Sequence, residues 1–420
     1  MTSAATPKGA GPRARPPITP RGFGVTAAGA VLSAAGLLFG YPELLVLGAT
    51  ALVALGCALT YGLWRPRLEV ARAVDPDRVS RGEGSQVTLT VRNTSRFLAA
   101  SMIAEDSCGR LAADGQTVAD RVAIAVPVLR LRAGSAREVD YPVPTGRRGV
   151  VRVGPLRVTR RDPLGLISLG RDHGGTAEIW VHPRILPLHA VPAGVSRSMD
   201  GRVDRVPHGS ITFDALREYV VGDELRSVHW RTSAKVGELM VREHLDTSLP
   251  RLVVLLDDRV GSYPPPAVPG GEVEAFEAAC EAAASVVAAA VREDLPVVLH
   301  TVGGRSVAGH RGSAQSQLDA LAEVTPHAPA DGGPETRLSN AVNRLRQYRP
   351  GDTLIYLTGV AGLADLGLVG SLRGPFPTVV AGVLGPSDPQ EQRTGGAGLI
   401  MLRAEDGDEF AAEWEGVSRW

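Results

Sequence analysis

Asp223 and His229 lie close together in a stretch, Phe213 to Asp246, that sets Arg217, Arg226, Arg231, Lys235 and Arg242 against Asp214, Glu218, Asp223, Glu224, Glu238, Glu243 and Asp246. An imidazole near a carboxylate is the pairing that general acid/base hydrolysis uses, and it is also a common structural pair. Asp257 and Asp258 offer a second chemistry. They close the apolar run Arg251 to Leu256 and, with Ser262, present hard oxygens suited to a divalent cation. Recognition is a third, because Trp230 and its neighbouring arginines are the side chain types that carry most interface energy. The same charges also suit a salt-bridge network joining one domain to the next, with Trp230 as a packing anchor.

These groups need elements to position them. Asp223, after Gly222, suits the N-cap of a helix from Glu224 to about Lys235, ended by Gly237. Arg226, Trp230 and Ser233 would share one face of it, and Leu225, Val228, His229 and Thr232 another. A strand over Leu216 to Val221 is expected before the helix. Glu238 to Leu245 alternates as a half-buried strand, with Leu239 and Val241 on one side.

The string L-R-E-Y-V-V-G-D-E-L-R-S-V-H-W-R-T-S-A-K-V-G-E-L-M-V-R-E-H, Leu216 to His244, resembles the signature of the bacterial family called domain of unknown function 58 (DUF58). The run Arg148 to Leu166 resembles what precedes that signature in the same family. The resemblance implies a membrane-anchored protein with a von Willebrand factor type A-like domain, often encoded near a MoxR-type AAA ATPase. It implies no reaction. On the matched stretch, the residues expected to meet a protein partner are Arg217, Glu218, Tyr219, Gly222, Asp223, Arg226, His229, Trp230, Arg231 and Lys235.

A type A domain binds its metal through Asp-x-Ser-x-Ser after the first strand, with a Thr and an Asp from later loops. Here Asp257 and Thr336 match, but Arg259 and Gly261 hold the two serine positions, and Thr358 and Gly359 stand where the closing aspartate belongs. A guanidinium is the wrong charge for a cation site, so the site reads as degenerate and no metal or other cofactor is expected. Asp257 and Arg259 are candidates for an internal ion pair, and Asp257, Asp258 and Ser262 for a rebuilt site. No P-loop, H-E-x-x-H or G-x-S-x-G string occurs, and Gly303–Gly304 reads as a turn.

The remainder of the chain frames this stretch. Lys+Arg and Asp+Glu both number 45, a balance that argues against nucleic-acid binding by the whole protein. Three cysteines, Cys57, Cys108 and Cys280, are too few for a disulfide framework or a zinc site, and Cys57 and Cys280 read as packing residues. Residues 1–21 form a basic tail expected to be disordered. Residues 22–64 hold two charge-free runs, Gly22 to Gly40 and Leu44 to Trp64, each long enough to cross a bilayer. Basic flanks on both sides of the pair predict a cytoplasmic location for everything else, in a cell-membrane protein.

Short alternating segments over 67–187 predict an antiparallel, sandwich-like β-domain: Leu68 to Val74, Gln86 to Arg92, Val122 to Leu131, Ala136 to Val143, Gly149 to Val153, Leu156 to Thr159 and Ala177 to Val181. Its arginines Arg147, Arg148, Arg152, Arg157, Arg160 and Arg161 form a solvated face or touch anionic headgroups. A linker, 188–212, precedes the charged segment 213–246. Over 247–420 strands alternate with helices, predicting a mostly parallel, doubly wound α/β sheet. The expected function is a non-enzymatic, membrane-anchored scaffold that presents the charged segment to a protein, with a metal-dependent hydrolase using Asp223, His229 and a site near Asp257 as the alternative.

Overall fold

The computed structural model describes residues 18–63, 67–96, 100–112, 118–126, 130–192, 213–218, 228–244, 252–266, 273–309, 312–327, 334–348, 352–386 and 399–417. The chain forms two compact units, Met1–Val181 and His182–Trp420.

The first unit opens with a helical hairpin. Thr19 starts α1 (Pro20–Phe39) by accepting from the Gly22 amide at 3.1 Å, Pro20 occupies the first turn, where no N–H is needed, and Gly40 ends the helix at φ 70°. α2 (Pro42–Leu63) follows at once. Both helices are long and apolar enough to cross a membrane. Their outer faces leave Leu37 74% and Leu38 80% exposed, as helices surrounded by lipid would. Cys57, expected to be a packing residue, is exposed on α2. Thr26 and Thr50 hydroxyls donate back to the Gly22 and Val46 carbonyls, each at 2.7 Å, so their polar groups are satisfied within the helix.

Small residues let the two helices approach. Gly29 and Gly36 are buried against α2, where a Cβ would lie 3.1 Å from the Ala51 Cβ and 2.7 Å from the Leu45 amide nitrogen, whereas Gly22 is buried against Leu166. A Cβ on Gly48 would lie 2.2 Å from Ser33 Oγ and 2.8 Å from the Gly29 carbonyl. Gly48→Leu is therefore expected to destabilise the hairpin by about 1–3 kcal/mol, whereas Gly56→Leu, where a Cβ meets nothing within 4 Å, should be silent. Circular dichroism during SDS titration of the full chain in mild detergent checks this; equal midpoints for the two variants would contradict the close-packed interface.

Strands β1 (Leu68–Asp75), β2 (Arg78–Ser80), β3 (Gln86–Asn93), β4 (Ala100–Ser101), β5 (Ile103–Leu111), β6 (Val118–Val126), β7 (Arg130–Leu131), β8 (Ala136–Pro142), β9 (Gly149–Arg161), β10 (Ser168–His173) and β11 (Ala177–His182) follow. One sheet runs β1-β3-β8 and another β2-β11-β9-β5-β6, with β10 on β9. Side chains from both fill one core, including Val87, Leu89 and Val91 from the first and Val153, Leu156 and Ile179 from the second. The sequence pattern separates Gly149–Val153 from Leu156–Thr159, but β9 is continuous: Gly154 takes φ 96° and the pairing with β5 shifts between Asp106 and Cys108, a bulge rather than a turn.

β5 itself escapes the pattern because it buries a carboxylate. Asp106, fully buried, accepts from Arg72 Nη2 at 2.7 and 2.9 Å and from the Tyr141 hydroxyl. The arginines expected to form one face are dispersed. Arg148 is buried, Arg152 pairs with Glu178 at 2.7 Å, and Arg160 lies over the Tyr61 ring at 4.2 Å. The β9–β10 turn grips the start of α1, with the Thr19 amide and hydroxyl donating to the Leu166 and Gly165 carbonyls at 2.9 and 2.7 Å. Ala58, Leu166 and Ile167 close a small apolar cluster beneath that contact.

In the second unit, β12 (Phe213–Glu218) pairs antiparallel with β13 (Met240–His244), and α3 (Trp230–Val236) sits between them in sequence. The main sheet contains β14 (Leu252–Leu256), β15 (Val297–Thr301), β16 (Ser306–Ala308), β17 (Thr353–Gly359), β18 (Thr378–Leu384) and β19 (Ile400–Ala404). Its order is β16-β15-β14-β17-β18-β19, parallel except at β16.

Alternate β14 residues serve opposite faces. Leu252, Val254 and Leu256 meet α4 (Glu274–Arg292), α5 (Gln315–Glu323) and α8 (Gly407–Gly416), whereas Val253 and Leu255 meet α6 (Pro334–Tyr348) and α7 (Leu366–Gly370). β14 is thus buried on both sides, the condition that makes its sequence a continuous apolar run. Trp414 on α8 is fully buried and donates to the Ala190 carbonyl at 2.7 Å, fastening the segment after β11 to the last helix.

Candidate functional site

Strand order reverses beside β14, and the carboxyl ends of β14 and β17 there open the crevice where α/β sheets place ligands. Asp257, just past β14, is fully buried in it. Its carboxylate accepts from Arg259 Nε and Nη2 at 2.8 and 2.7 Å, Ser262 Oγ at 2.7 Å, Tyr356 OH at 2.9 Å and Thr358 Oγ1 at 2.7 Å. The same guanidinium donates to Asp365 Oδ2 at 2.7 Å. Oxygens that would suit a cation therefore surround a cation the chain supplies itself.

Burial, the largest single influence on Asp257, would raise its carboxyl. Arg259, helped by the Ser262 and Thr358 hydroxyls, outweighs it and holds the group below the usual carboxylate range. The paired carboxylates in turn outweigh burial at Arg259 and raise it further. Asp258 goes the other way: burial raises it, and the Gly303 amide, donating at 2.7 Å, offsets this only in part. His327 approaches Asp258 at 3.4 Å.

Of the two residues that match the metal motif, Asp257 is this buried acceptor, while Thr336 stands exposed in the first turn of α6. The hydroxyls on Asp257 come instead from Ser262, one residue beyond the motif, and from Thr358. Asp365, in the turn after β17, carried no sequence signal: only the fold of Val360–Asp365 returns it to the crevice. Among the described residues no group of three or more His, Cys, Asp or Glu side chains is placed to hold a metal ion.

In the charged segment, Arg217 and Glu218 lie in β12. Tyr219, Gly222, Asp223 and Arg226 lie outside the described residues. The helix differs from expectation: it begins at Trp230, and its N-cap is His229 rather than Asp223. His229 Nδ1 accepts from the Thr232 amide at 3.2 Å and lies 2.7 Å from Thr232 Oγ1, while the His229 amide donates to the Met240 carbonyl at 2.7 Å. The imidazole is thus engaged in the turn that starts the helix.

Trp230 and Ser233 do not share a face as expected. Ser233 is buried, donating to the His229 carbonyl and accepting from the Met240 amide at 2.8 Å, because it ties α3 to the following strand. Trp230 is 63% exposed, with Val236 and Leu239 also exposed, and Arg231 and Lys235 stand on the solvent side with them.

No curated protein matches the chain. Solved structures similar to parts of it include the alkylpurine DNA glycosylase AlkC of Pseudomonas fluorescens bound to DNA with an abasic site analog, at 14% identity and a TM-score of 0.22, covering 36% of this chain and 42% of that one. Another is the CARDB domain of the PF1109 protein of Pyrococcus furiosus with di-metal ions, at 14% identity and TM-score 0.19, covering 28% and 93%. The C-terminal domain of wzt follows at 11% identity and TM-score 0.21, covering 28% and 75%. The chain spans less than half of the glycosylase, and superpositions this loose carry no functional argument. A family match does fall on the segment just described: residues 215–359, from β12 to the end of β17, match the model of the family described as Protein of unknown function DUF58.

Proposed function

We propose that this protein is a membrane-anchored scaffold whose second unit, von Willebrand factor type A-like in design, offers the surface around α3 to a protein partner on the cytoplasmic side. The observation that carries the reading is the exposed indole of Trp230 at the start of α3, a short helix that also exposes Arg231, Lys235 and Val236 and is followed by exposed Leu239. Exposed Trp and Arg are the side chains that supply most of the energy of protein interfaces. The occupied crevice supports a binding role over a metal-assisted one, since Arg259 already neutralises Asp257. The hairpin α1–α2 supplies the anchor, and two antiparallel sheets sharing one core supply a sandwich-like spacer. A MoxR-type AAA ATPase is the partner class that the family resemblance implies.

The test is quantitative capture of such an ATPase by the full chain in detergent. Trp230→Ala is expected to weaken capture by about thirtyfold and Arg231→Ala by less, with unit stability unchanged because the indole is exposed. Equal capture by wild type and Trp230→Ala would remove this surface from the proposal.

A further inference from the structure

A cavity of about 250 Å³ lies between α6 and the β15–β16 hairpin, on the sheet face opposite α4. Leu255, Ala341 and Leu345 form its apolar side, and His300, Ser306 and Arg344 its polar one. Three features set it apart from a packing flaw. His300 Nε2 is out of solvent and has no hydrogen-bond partner, a condition that costs free energy unless something else completes it. Arg344 is exposed and forms no ion pair among the described residues, and no Asp or Glu is among the residues lining the cavity. The wall is also held in place: Gly304 takes φ 106°, a backbone conformation that favours glycine, with the Arg344 guanidinium 3.5 Å from where a Cβ would stand, and Asp258 pins the preceding turn through the Gly303 amide at 2.7 Å. Burial, and after it the Arg344 charge, hold the His300 imidazole below its ordinary range, so it is neutral and able to donate or accept.

We propose that this cavity binds a small organic anion, with its carboxylate held by Arg344 and His300 and its hydrocarbon or aryl body seated on Leu255, Ala341 and Leu345. A guanidinium with no acidic partner among the described residues supplies charge complementarity, and the apolar side selects a ligand with a body over a bare ion. The site is separate from the α3 surface and stands or falls independently of it.

The test is calorimetric titration of the full chain in detergent micelles with benzoate as probe, corrected for empty micelles. Benzamide serves as the uncharged isostere and inorganic phosphate as charge without a body. Benzoate is expected to bind, with benzamide and phosphate each weaker by about tenfold or more. Arg344→Ala, at an exposed helix position, is expected to weaken benzoate by about tenfold or more, and Ala341→Met, which fills the apolar side and keeps the charge, to remove binding. No heat from benzoate at millimolar concentration, equal binding by wild type and both variants, or phosphate binding as tightly as benzoate would each overturn the proposal.

Discussion

Arg259→Ala is expected to destabilise the second unit by about 3–5 kcal/mol, because it strands the Asp257 carboxylate, fully buried, without the cation that neutralises it. Hydrogen exchange reads this locally. Protection of the β14 amides should fall by roughly two to four powers of ten, while β3 in the first unit keeps its protection. Adding Asp257→Asn to the variant should restore part of the loss, since the uncharged amide no longer needs a counter-ion but still meets Ser262, Thr358 and Tyr356. If Arg259→Ala costs less than about 1 kcal/mol, the guanidinium is not what holds the crevice together.

The same pair fixes an acid limb. Asp257 has a folded-state pKa below its unfolded value of 3.8, so its contribution is complete above that value and is lost as pH falls through the depressed one. Asp258, raised by burial, has the opposite sign: its contribution is complete below 3.8 and disappears as pH rises through its raised folded value. Arg259→Ala should therefore flatten the loss of stability seen on acidification below 3.8.

Asp106→Ala is expected to have a comparable effect on the first unit, again about 3–5 kcal/mol. The Arg72 side chain is 5% exposed and its Nε already lacks a partner, so removal of Asp106 leaves most of a guanidinium buried, with the Gly175 carbonyl still accepting from it. Tyr141 gives a second readout. Burial is the first cause of its raised phenol pKa and the hydrogen bond to Asp106 the next, so the variant should lower the ultraviolet titration midpoint only part of the way toward 10.0. Exchange protection of β3 and β8 is the stability measure, with β14 as the unaffected reference. Unchanged protection in β3 and β8 would show that Arg72 finds another partner at little cost.

What the sequence made legible was whatever rests on periodicity. The two charge-free runs became α1 and α2 within a few residues, and R-L-V-V-L-L and T-V-V-A-G-V-L became β14 and β18, because strands buried on both faces read as near-continuous apolar runs. Elements built around a polar interaction were harder to see. β5 holds Asp106 and Gly109, poor strand formers, and it is Arg72 and Tyr141 across the core that account for the buried Asp106. Aspartate is the stronger capping residue by type, yet α3 starts where the His229 ring, its own amide anchored to Met240, accepts from the Thr232 amide. In the crevice, Asp257 and its pairing with Arg259 could be framed from spacing. Asp365 could not, since it belongs to no motif and a 3-10 turn brings it there.

The grip of the β9–β10 turn on Thr19 makes the hairpin a handle rather than a leash. A flexible tether lets its cargo tumble. Here two backbone carbonyls seize the very first turn of α1, and the ring of Tyr61 near the end of α2 is covered by Arg160, so both ends of the hairpin are held to the same strand pair. Any lean of the two helices is then passed on as a lean of the two sheets, because both ends of the pair are tied to β9 and the turn that follows it.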